Sequence, residues 1–272
     1  FSEDSKHLNK NCNTSPKSNV EVETFLPSPY HIALLKEAKN KYRSVRMRNF
    51  DINYIDIAGI NDVLFKGNSS LVEADLQHSD LIAGVYEGGG KVWECTNDLL
   101  QYLESCYELS YFQGKSVLDL GCGCGLAGIY AAKCGAKVFF QDYNKDVIND
   151  ITIINVLLNA PQKSASTFKF RSGSWDDAHS LFGDEKFDLI LTAETIYSTR
   201  YYPSLIKIFK DTLRAHGTVL LAAKSYYFGV GGSLRAFEDN LDCNNIKYKS
   251  VWSTRHGLHG LEREILEIKN QY

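Results

Sequence analysis

No run in this 272-residue sequence approaches the about 18 consecutive apolar residues that a membrane-spanning helix requires, so no membrane partner is expected. An excess of one charge is missing too. Against 30 Lys and Arg stand 33 Asp and Glu, which leaves no global field to draw in nucleic acid or anionic lipid. The first twenty residues are polar and rich in Asn, Ser and Lys, without the apolar core of a secretory signal peptide, and none is expected. The chain opens on Phe1 rather than Met, as a fragment or a processed chain does. A paired disulfide framework is lacking as well. The seven cysteines, Cys12, Cys95, Cys106, Cys122, Cys124, Cys134 and Cys243, are odd in number and several lie in apolar runs. Free thiols in a reducing compartment follow, and the cytoplasm and nucleus are expected. Cys122 and Cys124 are two apart with no nearby His to complete a zinc set, so no metal is expected. What is present is 44% hydrophobic and 23% charged, an ordinary globular balance with length for one sizeable core and an appendage.

The appendage comes first. Residues 1–75 read as an N-terminal extension, partly flexible, with Phe1 to about Pro27 as an Asn/Ser/Lys/Glu-rich arm. A helix opens with Ser28 as cap and Pro29 in its first turn, and Ile32, Leu35 and Ala38 give it an apolar stripe. Its later part carries Lys36, Lys39, Lys41, Arg43, Arg46 and Arg48 against Glu37 alone. That run reads either as a solvated helix face or as a patch making weak contact with ribosomal RNA through Lys36–Arg48. Phe50–Ile57 alternates like a strand.

Residues 76–272 are more orderly. A helix over Trp93–Tyr107 is followed by strands at Ser116–Leu120, Lys137–Asp142, Thr167–Ser172, Phe187–Ala193 and Thr218–Lys224. Between them lie helices at Leu126–Cys134, Asp146–Asn159 (stopped by Pro161) and Tyr202–Arg214, and a further helix covers Leu234–Leu241. Two closing strands, Tyr248–Thr254 and Leu261–Ile268, make an antiparallel edge. The pattern implies an α/β fold, a Rossmann-like seven-strand sheet with helices on both faces and an antiparallel C-terminal hairpin.

The most informative segment is Val117-Leu118-Asp119-Leu120-Gly121-Cys122-Gly123-Cys124-Gly125-Leu126-Ala127-Gly128, a buried strand feeding a glycine loop that opens a helix. Gly123-x-Gly125-x-x-Gly128 fits a dinucleotide fingerprint, yet that match alone is weak. Asp119 decides the matter. A carboxylate just before the glycines repels a pyrophosphate and suits the ammonium of a methionine moiety, so the cofactor is read as S-adenosylmethionine, held at Asp119, Gly121 and Gly123. Gln141-Asp142-Tyr143 takes the ribose, with Tyr143 against the adenine edge, and Gly173-Ser174-Trp175 offers Trp175 as a stacking face.

Four further blocks carry a family likeness. Glu194-Thr195-Ile196-Tyr197 resembles the acidic-x-x-aromatic signature of the protein lysine and histidine methyltransferases of this fold. His78–Gly89, Lys91–Leu100, Thr192–Tyr197 and Lys224–Gly232, in that order, resemble the histidine protein methyltransferase family, from His78 to the end of the chain. The resemblance implies methylation of a histidine, at the tele nitrogen, in a large-subunit ribosomal protein. It implies cofactor contacts at Val92, Trp93, Glu94, Cys95, Thr96, Gly121, Gln141, Asp142, Tyr143, Gly173, Ser174 and Trp175. Ala193 stands where relatives have Ser, and a backbone contact survives that change while a hydroxyl contact does not.

Glu194 and Tyr197, at the end of a strand, are expected to position the acceptor imidazole, with Asp80 or Glu87 from the preceding loop. Gly84–Gly90 and Phe228–Gly232 flank the cofactor mouth, where Tyr86 and Phe228 could sandwich the acceptor ring. His179, His216, His256 and His259 fall in turns and read as surface residues. Two rivals stay open: a lysine methyltransferase of the same fold, and a non-catalytic S-adenosylmethionine-binding assembly factor.

Overall fold

A computed structural model describes residues 20–38, 41–64, 70–71, 73, 77, 81–82, 84–160, 167–254 and 261–269. Its centre is a parallel sheet whose strands are buried on both faces, as helices packed on either side require. The strands are β1 (Glu23–Phe25), β2 (Arg43–Arg46), β3 (Asp51–Tyr54), β4 (Ser116–Leu120), β5 (Lys137–Asp142), β6 (Phe168–Ser172), β7 (Phe187–Ala193), β8 (Leu213–Lys224), β9 (Tyr248–Ser253) and β10 (Arg263–Lys269). The main sheet runs β1-β6-β5-β4-β7-β8-β10-β9, and β2 and β3 form a separate pair. β6, β5, β4, β7 and β8 are mutually parallel, while β10 runs antiparallel between β8 and β9. The seven-strand sheet with its antiparallel C-terminal hairpin is therefore present, with one strand more.

That extra strand is β1. It lies in the stretch read as a flexible arm, and it pairs antiparallel with β6 from Glu23 opposite Ser172 to Phe25 opposite Phe170. Three residues give almost no sequence pattern, so only the pairing reveals it.

Alternation along the strands sends side chains to two cores. Val117, Leu189, Leu191, Leu220 and Ala222 face the core that also takes Leu99, Leu100 and Leu103 of the helix Glu94–Cys106, and Leu126, Ile129 and Tyr130 of Leu126–Lys133. Leu118, Leu120, Ile190, Val219 and Leu221 face the other, with Leu205 and Phe209 of Tyr202–Thr212 and Phe237 of Leu234–Cys243. Leu34, Ala38, Met47, Ile52 and Ile55 from the N-terminal stretch join the first core.

Three expectations need correction. The first helix spans Pro29–Glu37 from its Ser28 cap, but it buries His31 and Leu34 while Ile32 is 45% exposed. His31 is held between Ser28 and Asn149, and those hydrogen bonds let an imidazole take a core position. The basic run does not share a helix face. Lys36 is helical, Arg43 and Arg46 lie on β2, and Arg43 pairs with Asp56 at 2.9 Å. Lys39 lies outside the described residues. Finally, the helix expected over Asp146–Asn159 is interrupted: Lys145–Val147 and Ile153–Asn159 flank a π-helical turn at Ile148–Thr152. A one-residue insertion of this kind leaves no periodicity signal.

Candidate active site

The chain leaves β4 for β5 on one side and returns to β7 on the other, so the carboxyl end of β4 opens into a crevice where the connections diverge. A cleft of about 350 Å³ lies there. Its floor is the glycine loop after β4. Gly121, Gly123 and Gly125 adopt φ of 63°, 50° and 77°, the left-handed region that side chains rarely enter. Gly128 serves packing instead: a Cβ there would meet Phe140 at 2.4 Å and the Asp119 carboxylate at 2.9 Å.

Two buried carboxylates face this floor. Asp119 Oδ2 accepts the Gly128 N–H at 2.8 Å. Asp142 accepts the Gly123 N–H at 2.9 Å and the Asn144 N–H at 3.1 Å. Burial pushes Asp119 up to about 7, opposed by the Gly128 hydrogen bond and reinforced by Asp142. Burial likewise pushes Asp142 up to about 6, opposed by the backbone N–H groups of Asn144, Gly123 and Tyr143 and reinforced by Glu87. Acids held this high relax toward their ordinary range when a cation arrives. An ammonium at Asp119, hydroxyls at Asp142 and an aromatic face at Trp175, which lines the same cleft, fit S-adenosylmethionine. Since both acids carry part of a proton near neutrality and must lose it to bind, affinity is expected to climb as pH rises from about 5 to about 7.5. Calorimetry near pH 6.5, in buffers of different ionisation heat, is expected to register proton release on binding; proton uptake would contradict it.

Burial pushes the thiols of Cys122 and Cys124 upward, so neither is a thiolate nucleophile. Among the described residues no group of three His, Cys, Asp or Glu could hold a metal ion.

The mouth of the cleft holds two acidic clusters. Glu194 directly follows β7 with φ 61°, a strained conformation for a non-glycine residue, while its N–H still donates to Ala222 at 2.9 Å. Its carboxylate accepts the Cys95 N–H at 3.4 Å and lies 3.6 Å from Lys224 Nζ. Lys224 also reaches Glu94 at 3.0 Å and lies 5.3 Å from the Trp93 ring centre. Burial works against the Lys224 charge, but Glu194 and Glu94 outweigh it and raise its pKa above the ordinary lysine value. In the second cluster, Glu87 accepts hydroxyl protons from Tyr197 and from Tyr201, the latter at 2.9 Å. Burial, then the Glu87 charge, pushes both phenols up, so they stay protonated and donate.

Most of the expected site residues meet in this cleft: Glu87, Val92, Trp93, Thr96, Asp119, Gly121, Gly123, Asp142, Tyr143, Ser174, Trp175, Ala193, Glu194 and Tyr197 all line it. Four expected cofactor contacts stand behind its wall. Gln141 is fully buried, accepting the Trp175 indole N–H at 2.7 Å and donating to Gly173 O at 3.0 Å, so it sets the indole rather than facing a ribose. Gly173 lies under Val22, which a Cβ would approach to 2.9 Å. Cys95 is buried behind Glu194, and Glu94 turns outward to Lys224. Tyr86 cannot sandwich a ring, because it is 2% exposed and its hydroxyl accepts the Gly90 N–H. Phe228 does stand at the mouth, 75% exposed. Asp80 lies outside the described residues. The sequence reading gave no role to Lys224 or Tyr201. Lys224 could have been found, since it ends the strand beside β7, level with the Glu194 turn.

Residues 78–228, more than half of the chain, match the model of a family described as lysine methyltransferase. A histidine protein methyltransferase 1 homolog of Dictyostelium discoideum is 44% identical over 198 residues, covering 72% of this chain and 62% of that protein. The homolog of Bos taurus is 42% identical over 240 residues, covering 76% and 62%. The chain thus spans about three-fifths of the length of these curated relatives. A protein N-lysine methyltransferase of Xenopus tropicalis is 33% identical over 136 residues, half of this chain and 60% of that protein. Among solved structures, the T. Thermophilus 16S rRNA N2 G1207 methyltransferase in complex with AdoMet and guanosine gives a TM-score of 0.52 at 15% identity, covering 85% of this chain and 50% of that one. That likeness concerns the fold alone. The chain belongs to the methyltransferase family described as lysine methyltransferase, and within it the likeness read from the four sequence blocks, to the histidine protein methyltransferases, is borne out.

Proposed function

We propose that this chain is an S-adenosylmethionine-dependent protein-L-histidine N-methyltransferase, acting at the tele nitrogen of a histidine in a large-subunit ribosomal protein. What supports the histidine reading over the lysine one is the likeness to the histidine protein methyltransferase 1 homologs, 44% and 42% identical, against 33% for the N-lysine methyltransferase. S-adenosylmethionine supplies a methyl group already activated by its sulfonium. The protein's share is alignment and the exclusion of water, worth up to about 7–11 kcal/mol where near-attack geometry is held.

Histidine, with a pKa near about 6.5, is mostly nucleophilic at neutral pH, whereas lysine at about 10.4 must first lose a proton. Methylation of one ring nitrogen leaves a proton on the other, which must depart. Glu87, hydrogen-bonded by Tyr197 and Tyr201, fixes the imidazole tautomer and takes that proton in this reading, and Glu194 lines the same cleft. The exposed Lys36, Arg46 and Arg48 suit weak contact with ribosomal RNA, and the cytoplasm and nucleus are the compartments proposed.

Two measurements test this reading. At saturating S-adenosylmethionine the rate is expected to be flat above neutrality and to fall near the acceptor pKa of roughly 6.5; a rate still climbing between about pH 8 and 9 indicates lysine. Glu87→Gln keeps shape but loses charge, and is expected to slow turnover about 100-fold with cofactor affinity within about twofold. Glu194→Gln is expected to slow turnover too, because it removes the charge that Lys224 offsets. Unchanged turnover in Glu87→Gln removes it from the proposed role.

A further inference from the structure

The strand β3 comes from the stretch that the sequence reading set apart as an extension, and neither it nor Ile55–Ile57 lines the cleft. Yet it is tied to the cleft floor by an unusual device. Asn155 and Asn159, one turn apart on the helix Ile153–Asn159, each close a two-way hydrogen-bonded pair with a residue of the passing chain. Asn155 Oδ1 accepts the Ile55 N–H at 2.7 Å and its Nδ2 donates to Ile55 O at 3.0 Å. Asn159 does the same for Asn53, at 2.9 and 2.6 Å. The two amides thus imitate a neighbouring strand, satisfying alternate residues, Asn53 of β3 and Ile55 just past it, on one edge.

The second hydrogen of the Asn155 amide then donates to Cys124 O, in the glycine loop, at 3.0 Å. One position earlier in the loop, Gly123 O accepts the Thr152 hydroxyl at 2.7 Å, from the end of the π-helical turn. Both carbonyls are therefore held from the helix, which leaves the Gly123 N–H aimed at Asp142. Past Ile55, the Ile57 N–H donates to Gly90 O at 2.7 Å, and the Gly89 carbonyl would meet a Cβ on Gly123 at 2.8 Å. Through Asn155 and through Gly90, β3 and its continuation are connected to the glycine loop and to the Gly84–Gly90 loop beside it. Asn155 is completely buried, and both its amide hydrogens are used, so its conformation has no slack.

We propose that Asn155 and Asn159 are positioning residues that make residues 51–57 a working part of the cofactor site, so that docking of β3 and binding of S-adenosylmethionine reinforce each other. The proposal rests on the cofactor reading of the cleft and not on the identity of the acceptor. Coupling of this kind is reciprocal, so each side reports on the other. Among the described residues Asn159 hydrogen-bonds Asn53 and Asn155 and not the glycine loop, which makes it the informative position.

The experiment uses the full chain. Calorimetry first establishes S-adenosylmethionine binding by the unaltered protein; failure there removes the cofactor reading itself. Amide hydrogen exchange is then followed with and without saturating S-adenosylhomocysteine. The Asn53 and Ile55 amides are expected to slow about tenfold on ligand addition. In parallel, Asn159→Ala is expected to raise the Kd for S-adenosylmethionine about tenfold, and Asn159→Asp, which keeps the acceptor for Asn53 N–H, less than Asn159→Ala. Unaltered exchange at Asn53 and Ile55 on ligand addition overturns the proposal, and this readout stands even where a variant does not fold. A normal Kd in Asn159→Ala with β3 released also overturns it.

Discussion

Replacing Gly232 by alanine is expected to lower kcat roughly 100-fold while cofactor affinity stays within a few-fold. A Cβ at Gly232 would come within 2.1 Å of Ile196 O and 2.3 Å of the Tyr197 carbonyl carbon, far inside contact distance and against backbone on every side. The Gly232 N–H also donates to Tyr197 O at 2.8 Å, so the two segments are pinned together and cannot part cheaply. Whatever moves takes Tyr197 with it, and Tyr197 carries a hydroxyl that Glu87 accepts at the mouth. The glycine loop and its two carboxylates belong to a different wall of the cleft, which is why binding should survive. Steady-state kinetics beside calorimetry and a thermal midpoint separate these effects; an unaltered kcat would show that Tyr197 has no part in turnover.

Asp142→Ala should act on the opposite quantity, weakening S-adenosylmethionine binding by about 100-fold or more. Charge-assisted hydrogen bonds are worth about 1.5–3 kcal/mol each, and the carboxylate, proposed to meet the cofactor hydroxyls, also accepts from Gly123 and Asn144. Removing it leaves two buried N–H groups without their acceptor and frees the floor of the cleft. Asp142→Asn does not rescue fully, because its amide presents donors where N–H groups already point. Titration calorimetry reads the loss directly, and a Kd within about threefold of the unaltered protein would mean that Asp142 faces no cofactor hydroxyl.

Much of this arrangement is legible in the sequence because it is local. The strand β4, its glycine loop and Asp119 occupy ten consecutive residues, and Asp142 ends the next strand. What escapes is long-range. Gln141 sits in the motif but is turned away by Trp175, 34 residues on, and no spacing foretells that indole–amide pair. Tyr86 lies among glycines like a mouth residue, yet the Gly90 N–H draws its hydroxyl inward. Lys224 reads as the polar end of a strand, and its meaning depends on Glu94 and Glu194, residues distant in sequence. The stretch before residue 60 is the clearest case: β1 is three residues long, and β3 is held by two asparagines on a helix about a hundred positions away. Side-chain amides standing in for a strand leave no hydrophobic period to read.

The central claim is the chemical identity of the acceptor. The most direct measurement incubates the purified full chain with methyl-labelled S-adenosylmethionine and ribosomal proteins, then hydrolyses the products and separates the labelled amino acids. The account predicts label in tele-methylhistidine, from a large-subunit protein. Label recovered in methyl-lysine would contradict it.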